Sequence, residues 1–260
     1  MTPRRAGGAA RAVGRNKWAI RAVVWGALVL AWYLLARAKG PFFLATPGAT
    51  VEGLVKLQTE GYYSALGASL RQLGVGFALA VAVGVPVGLL MGSVRLIDDL
   101  LAPFVNTLFV TPKEALLPFL ITLFGTRLNF RIAVVFLFAV FFVVMNASAG
   151  VRSVDRDLIE AGRSFGLPMR RIFTRIVLPG SLPFVIAGIR LGLAASIKGM
   201  VIAELWVTAG AGLLLKNFAA FRRLDMFLAL SIVIIAVGVV STTLLAALER
   251  RLRPWKAATR

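Results

Sequence analysis

The sequence contains no cysteine and no histidine among its 260 residues. Disulfides, thiol nucleophiles and histidine general bases are therefore excluded, and so are nearly all zinc sites. The chain also lacks a G-x4-G-K-[ST] phosphate loop, so it cannot supply ATP hydrolysis by that route. We expect no catalytic residues, no metal ligands and no cofactor bound by this chain.

Acidic residues are scarce too, since 11 Asp and Glu residues stand against 30 Lys and Arg residues, giving a formal net charge of +19. The basic residues cluster at the ends of apolar runs instead of alternating with aromatic residues, so we expect contact with membrane lipid and no binding of nucleic acid. Hydrophobic residues make up 59% of the chain, and the mean hydropathy is +0.85. Several apolar runs approach the roughly 20 residues that cross a bilayer. These features exclude a soluble globular protein and predict an all-α polytopic membrane protein.

The apolar pattern predicts six transmembrane helices. Together they form a transmembrane domain at 18–248, between a basic N-terminal tail at 1–17 and a basic C-terminal tail at 249–260. The first apolar segment, which ends in Ala36-Arg37-Ala38, also fits a secretory signal with its cleavage site, but its length favours an uncleaved span. The predicted spans are 18–36, 69–92, 100–124, 131–150, 181–207 and 226–248.

Small residues recur every four positions along the second predicted span, at Gly76, Ala80, Gly84, Gly88 and Gly92. This spacing places them on one face of a helix, where another backbone can approach closely. We therefore predict a tight contact with a second helix, or with a second copy of the chain, along this face.

The third predicted span is interrupted at Thr111-Pro112-Lys113-Glu114, because Pro112 lacks a backbone donor. Discontinuous helices in transporters line a cavity in which water or protein satisfies the freed backbone groups. Lys113 and Glu114 point about 100° apart on a helix, so each needs its own partner. We predict that both lie on a pore. The alternative is that this stretch lies near the lipid headgroups and both side chains extend to water.

The fifth predicted span carries three charged residues, Arg190, Lys198 and Glu204. Charges at membrane depth are rare and normally face an aqueous path or the interior of a bundle. Lys198 is the most interior and is predicted to face the pore, with Glu114 as a candidate partner. Arg190 lies nearer the cytoplasmic end and suits packing or gating. Glu204 lies near the external end and is a third pore candidate, with a solvated or purely structural position as the alternative.

A polar and basic loop joins the fourth and fifth predicted spans. Asp155 or Ser153 can cap a short helix there, and Asp157 and Glu160 lie in its first turns, where the helix dipole favours anions. Gly166 suits a left-handed C-terminal cap, and Pro168 suits the first turn of a second helix. The second helix is amphipathic and is expected to lie on the membrane surface. Two short helices joined at a sharp corner suit docking to another protein. The alternative is an amphipathic loop that lies on the lipid headgroups without a protein partner.

This loop, at 151–179, contains the spacing E-A-G-x3-G-x9-I-x-L-P from Glu160 to Pro179. The pattern resembles the cytoplasmic coupling loop of the permease subunits of ABC importers, with Gly162 in place of the usual second Ala. The resemblance extends over most of the chain to the nitrate, sulfonate and taurine group of these permeases. Glu114 is a departure, since that group has an apolar residue there. The segments that carry the wider resemblance are G-F-x-L-A-x-A-V-G-V-P-V-G-L-L-M-G at 76–92, T-P-K-E-A-L-L-P at 111–118, G-V-R-S-V-D at 150–155 and A-E-L at 203–205.

The resemblance implies a type I, MetI-like importer fold with two permease copies, expected to form a homodimer. It also implies two ATP-binding subunits, which carry ATP and Mg and dock on the coupling loops. A periplasmic or lipid-anchored binding protein delivers the solute from outside. The residues that the resemblance assigns to coupling are Asp157, Glu160, Ala161, Gly162, Gly166, Leu178 and Pro179.

The distribution of charge predicts orientation and solute. With the coupling loop in the cytoplasm of a bacterial cell, 18 Lys and Arg residues lie in the inner segments and 8 in the outer ones, so both termini are expected inside.

Lys113, Arg190 and Lys198 make the predicted pore positive, which favours a small anion such as nitrate, a sulfonate or a carboxylate. The alternatives are a secondary transporter or channel that needs no ATP, with the broken third span as its ion site, and a membrane scaffold subunit.

Overall fold

The computed structural model of the protein describes the backbone of residues 6–252 and the side chains of residues 18–247. Parts of the two predicted basic tails, 1–17 and 249–260, lie outside these residues. Nearly all of the described chain is helical, which confirms the predicted all-α class. A 3-10 turn at Lys113–Leu116 and a π-helical turn at Phe173–Val177 interrupt the α-helices. The α-helices are α1 (Ala6–Lys39), α2 (Pro47–Thr59), α3 (Tyr63–Ser93), α4 (Arg95–Val110), α5 (Leu117–Phe124), α6 (Leu128–Arg152), α7 (Arg156–Ser164), α8 (Met169–Ile172), α9 (Leu178–Val207), α10 (Gly210–Ala220) and α11 (Leu224–Leu252).

Within the described residues, five continuous helices are long and apolar enough to cross a membrane, and a bent pair supplies a sixth candidate. Each of the six predicted spans falls on one of these candidates. The bent pair is Arg95–Val110 with Lys113–Phe124, and its two parts meet at 102°. The continuous candidates are Trp18–Lys39, Tyr63–Ser93, Leu128–Arg152, Met169–Val207 and Leu224–Ala247.

The helix predicted after Gly166 is not separate from the fifth span. Helix α8, the π-helical turn and α9 form one helical rod from Met169 to Val207. Pro179 follows the π-helical turn directly, in the first turn of α9, and the helical run continues through it. The apolar side chains of Ile172 and Val177 pack against Val151 at the end of α6, so protein and not lipid covers them.

The described chain divides into two compact units, of which the first comprises the chain up to Tyr62 together with Asn217–Ile232. Thr46 caps α2 in this unit, accepting a hydrogen bond from the Ala49 N–H at 3.2 Å. The Arg223 guanidinium donates to Glu60 at 2.9 Å and holds the pKa of that carboxyl below its usual value. The pair is therefore present at neutral pH and is lost only as the pH falls through the lowered pKa.

The second unit comprises Tyr63–Lys216 and the chain from Val233, and its core is built from α3, α6 and α9. The predicted glycine face of α3 packs directly on α6, as expected for a tight helix contact. A β-carbon added at Gly76 would lie 2.7 Å from Val135, and one added at Gly92 would lie 2.8 Å from the Ser148 carbonyl oxygen. Close approach of the two backbones therefore requires glycine at these positions.

The direction of packing determines how often the chain crosses. Gly76 and Gly92 of α3 meet successively later residues of α6, so the two helices run parallel. By contrast, Gly188 contacts Asn146 and Gly199 contacts Phe138, so α9 runs antiparallel to α6. Because α3 and α6 run in the same direction, the chain that joins the end of α3 to the start of α6 must cross back along the full length of α3. The bent pair α4 and α5 therefore counts as one crossing.

The break between α4 and α5 lies where the sequence predicts it. Proline disfavours helical backbone in the preceding residue, and Thr111 is extended, with φ −60° and ψ 132°. Helix α4 therefore ends at Val110. Arg152 at the end of α6 forms an ion pair with Asp98 in the first turn of α4, which ties the two helices together at this end.

Candidate functional site

The predicted coupling loop is a helical hairpin with a fixed corner. Asp155 caps α7, because its carboxylate accepts a hydrogen bond from the Asp157 N–H at 3.0 Å. At the other end Gly166 has φ +72°, a left-handed conformation that favours glycine. The Gly166 N–H donates to the Arg163 carbonyl at 2.8 Å, and the Leu167 N–H donates to the Gly162 carbonyl at 3.1 Å. Both predicted caps are therefore formed.

The inner face of the hairpin is packed onto the ends of α6 and α9. Ile159 of α7 joins the cluster formed by Val151, Ile172 and Val177. Gly162 lies against this cluster, since a β-carbon added there would be 3.1 Å from the Ile176 Cδ1 atom. Gly162 is the residue that stands where the resemblance leads us to expect alanine. The hairpin is therefore packed directly against the helix ends.

The outer face of α7 is apolar and uncovered within the described chain. Leu158 is 56% exposed and Phe165 is 86% exposed. Ala161 lies between them on the same face and is also exposed. An apolar face of this kind, held on a rigid corner, suits docking into a groove of another protein.

The remaining coupling candidates lie outside this face, elsewhere on the hairpin and at the start of α9. Asp157 and Glu160 are exposed, and Glu160 forms no ion pair within the described residues. Leu178 is half-buried and Pro179 is exposed, both at the start of α9. The structure thus brings the predicted coupling residues together at one end of the α6 and α9 pair.

Glu204 lies at the opposite end of α9 and is fully buried, at 0% exposure. Its Oε1 atom accepts hydrogen bonds from the Ser69 hydroxyl and from the Gln72 amide, both at 2.5 Å. Its Oε2 atom accepts from the Gly212 N–H at 2.9 Å. The solvated position considered for Glu204 is therefore wrong, because α3 and the start of α10 enclose the carboxylate.

The chain that follows α9 is shaped to fit this carboxylate. Gly210 has φ +58°, and the Ala211 N–H donates to the Ser69 hydroxyl at 3.0 Å. A β-carbon added at Gly212 would lie 2.8 Å from the Leu205 backbone nitrogen. Glycine at these two positions lets the backbone turn over Glu204 and present its N–H groups. We call Glu204, Ser69, Gln72 and Gly212 the carboxylate cluster.

Lys113 and Glu114 lie at the break between α4 and α5. The Lys113 ammonium donates to the Phe109 carbonyl at 3.1 Å and lies 5.6 Å from the Phe109 ring and 5.9 Å from the Phe141 ring. It therefore satisfies a carbonyl that the end of α4 leaves free. Glu114 is exposed and makes no contact with Lys198 in the part of the chain that the structure describes. The candidate pairing of Lys198 with Glu114 is therefore not formed within the described chain.

Lys198 lies on an uncovered face of α9. Leu191, Ala194, Lys198 and Leu205 follow one another at helical spacing, and all are exposed, on the side away from α6. Arg190 is half-buried near them. An ammonium on an apolar face at membrane depth needs water, an anion or a second protein surface.

Comparison with known proteins assigns the chain to a family. Residues 84–254, well over half of the chain, match the binding-protein-dependent transport system inner membrane component family. The chain belongs to this family. The match includes the coupling hairpin, Lys198 and Glu204, and it makes the protein a multi-pass permease subunit of an ABC importer in the inner membrane, working with ATP-binding subunits.

Individual relatives agree with this assignment. A probable ABC transporter permease of Brucella abortus is 35% identical over 227 residues, which cover 86% of this permease and 90% of the relative. The taurine transport system permease TauC of Escherichia coli is 32% identical over 237 residues, which cover 88% of this permease and 86% of the relative. Permeases named for aliphatic sulfonates and for nitrate also match, so the predicted nitrate, sulfonate and taurine group is confirmed.

A solved structure confirms the predicted type I fold. A chain of the MetNI methionine ABC transporter, in an inward-facing conformation, is 18% identical to this permease. The alignment covers 79% of this permease and 98% of that chain, with a TM-score of 0.59. The alternatives of an ATP-independent transporter and a scaffold subunit are set aside by the family membership.

Sequence reasoning missed several residues at these sites. Leu158 and Phe165 of the permease were not singled out, although their spacing of seven residues in a polar loop was a usable signal. Ser69 and Gln72 were also missed. Polar residues in the apolar second span could have suggested a buried site, but nothing in the sequence pairs them with Glu204.

Proposed function

We propose that two copies of this permease form the pore of an importer, and that one ATP-binding subunit docks on each coupling hairpin through Leu158, Ala161 and Phe165. The observation that carries this proposal is the exposed apolar face of α7. The Asp155 cap and the left-handed Gly166 fix the two ends of this helix. ATP and Mg bind on the partner subunits, and this chain performs no covalent chemistry. A binding protein delivers the solute at the opposite, external side, and both termini lie in the cytoplasm.

The packing of the hairpin supports a mechanism for coupling. Because Ile159 and Gly162 of α7 pack on the ends of α6 and α9, closure of the ATP-binding subunits displaces those helix ends together with the hairpin. Helix α9 also carries Lys198 on its uncovered face. Movement at the cytoplasmic end thus reaches the proposed pore through one continuous helical rod.

The docking face can be tested in a complex purified with its ATP-binding subunit. We expect Phe165→Asp to abolish co-purification of that subunit, because the charge replaces the apolar contact that holds the complex. Phe42→Asp is the matched control, since Phe42 is also a strongly exposed phenylalanine, at 66%, outside the hairpin. Normal assembly and uptake with Phe165→Asp would contradict the proposed docking face.

We propose a small anion, such as taurine, another sulfonate or nitrate, as the solute. The taurine-system relative and the cationic side chains Lys113, Arg190 and Lys198 support this class. A lysine at membrane depth costs roughly 2.5–3.5 kcal/mol on insertion scales, which an anion in the pore offsets.

Lys198 provides the test of solute charge. In a reconstituted complex supplied with its binding protein, we expect Lys198→Ala to reduce anion uptake at least about tenfold, corresponding to 1.4 kcal/mol of lost stabilisation. Assembly with the ATP-binding subunit should be retained. Lys216→Ala removes an exposed lysine of α10 and serves as the control. Wild-type uptake in Lys198→Ala would remove the main support for an anionic solute.

A further inference from the structure

A cavity of about 790 Å³ lies beside the coupling hairpin, next to the C-terminal end of α3. Its volume falls within the roughly 300–1,000 Å³ range of small-ligand sites in proteins. The floor of the cavity is apolar and is formed by side chains from α3, α6 and the α8–α9 rod. The main floor residues are Leu90, Val94, Val151, Ile172, Phe173 and Val177.

The rim of the cavity is strongly basic. Arg156 and Arg163 of α7 and Arg170 of α8 line it, and Glu160 is the one carboxylate among the lining residues. In the described part of the chain, none of the three arginines donates a hydrogen bond to a carboxylate or forms an ion pair. Three guanidinium groups around one cavity therefore lack an anion.

The basic rim and the proposed docking face are different faces of α7. Arg156, Glu160 and Arg163 are spaced by four and three residues, so they share one side of the helix. Leu158 and Phe165 lie on the opposite side, because successive residues turn by about 100°. A subunit docked on the apolar face leaves the arginine face and its cavity uncovered by that contact.

We propose that this cavity binds the headgroup of an anionic phospholipid. Arginine guanidinium groups bind phosphate oxygens through paired hydrogen bonds, which matches the phosphate of the headgroup. Basic pockets at the cytoplasmic ends of transmembrane helices bind anionic headgroups, and the apolar floor suits the glycerol and the upper acyl chains. The proposal rests on the proposed function only in placing this end of the helices at the cytoplasmic surface.

Charge argues against the other occupants that the chain itself could supply. The N-terminal tail carries Arg4, Arg5, Arg11 and Arg15, and the end of the chain is basic too, so a basic rim repels both. Free phosphate matches the arginines but leaves the apolar floor without a partner. An anionic lipid satisfies both parts of the cavity. Because the headgroup contacts α7 and α8 together, its binding stabilises the corner of the coupling hairpin.

The proposal can be tested by lipid titration of the full-length permease in detergent, without its ATP-binding subunit. Short-chain phosphatidylglycerol should raise the thermal unfolding temperature of the wild-type protein in a saturable manner. Short-chain phosphatidylcholine, which has the same chains and no net charge, should raise it far less. We expect Arg163→Gln with Arg170→Gln to weaken the apparent affinity for phosphatidylglycerol at least about tenfold, because two charge-assisted contacts are lost.

The matched control is Arg171→Gln with Arg175→Gln, which removes two exposed arginines from the same segment, outside the cavity. Its affinity for phosphatidylglycerol should be that of the wild type.

Equal weakening in both double variants would show diffuse surface attraction and overturn the proposal. Full competition by inorganic phosphate would show a free-anion site and also overturn it. Unchanged lipid affinity, with assembly with the ATP-binding subunit lost in the cavity variant, would assign the cavity to a protein partner. These outcomes do not depend on whether the apolar face of α7 couples transport.

Discussion

Glu204 illustrates how a single residue organises one end of this permease. Its carboxylate accepts three hydrogen bonds, two from α3 and one from the backbone at Gly212, and no part of the side chain is exposed. A carboxylate can satisfy three donors at once because both of its oxygens are acceptors. The residue therefore joins α3, α9 and α10 within one cluster, and no other acidic residue of the described chain is buried in this way.

We expect Glu204→Ala to lower the free energy of unfolding by about 2–4 kcal/mol, because the Ser69, Gln72 and Gly212 donors lose their shared acceptor inside the protein. Glu204→Gln should have a smaller effect, since its amide oxygen still accepts but its NH2 group faces a donor. Thermal unfolding in detergent measures both. Glu114→Ala, which removes an exposed carboxylate, is the control and should leave the stability nearly unchanged. Equal stability of Glu204→Ala and the control would disprove a structural role for the cluster.

Local features of the sequence predicted some residues correctly and others not. Pro112 and Gly166 were predicted because a break and a left-handed cap depend on the residue itself and its neighbours. Glu204 was noticed as a charge, but its partners were not, since Ser69 and Gln72 lie more than 130 positions away. Contacts at such separation depend on which helices pack together, and one sequence does not contain that information.

At the scale of helices, the contact between α3 and α6 requires glycine at the positions of α3 that face α6. Gly76 faces α6 at a distance that leaves no room for a β-carbon, whereas Gly74, two residues earlier, has nothing within 4 Å. The two residues share the same helix and nearly the same depth. They provide a matched pair in which only the contact differs.

We expect Gly76→Ala to destabilise the protein by about 1–3 kcal/mol, because the added methyl group forces α3 and α6 apart. Gly74→Ala should be neutral or stabilising by up to about 1 kcal/mol, since alanine has the higher helix propensity. Thermal unfolding of the two variants, compared with the wild type, tests this difference. If both substitutions behave alike, the close packing of α3 on α6 is incorrect.

The elements themselves were predicted more accurately than their ends. All six spans follow from apolar length, but the segment from Met169 to Val177 was interpreted as a separate amphipathic helix before the fifth span. A proline at the first turn of a helix leaves that helix intact, and the π-helical turn continues the rod. Whether proline ends a helix or begins one depends on tertiary packing, here that of Ile172 on Val151.

At the scale of the whole molecule, the charge distribution predicts that Ser164 at the end of α7 and Thr59 at the end of α2 lie on opposite sides of the membrane. The chain has no cysteine, so single cysteines can be introduced without a background. Ser164 and Thr59 are both exposed. We expect Ser164→Cys to react only with a reagent that reaches the cytoplasm, and Thr59→Cys only from outside, because more basic residues lie on the side of Ser164.

Labelling of sealed cells with an impermeant maleimide, before and after permeabilisation, measures this sidedness. The cysteine-free wild type supplies the control for background reaction. Reversed labelling would overturn the orientation with both termini inside, and labelling of both positions from one side would overturn the count of six crossings.

The parallel arrangement of α3 and α6 also determines when the molecule can assemble during its synthesis. Helix α3 enters the membrane before α6, and its glycine face has no partner until residues 94–127 have crossed back and α6 has followed. Until then, the glycine face of α3 is exposed to lipid or to the insertion machinery. A chain that stops after α5 therefore has an unpaired glycine face, and the core of this permease is completed only when α9, the last of its three helices, is inserted.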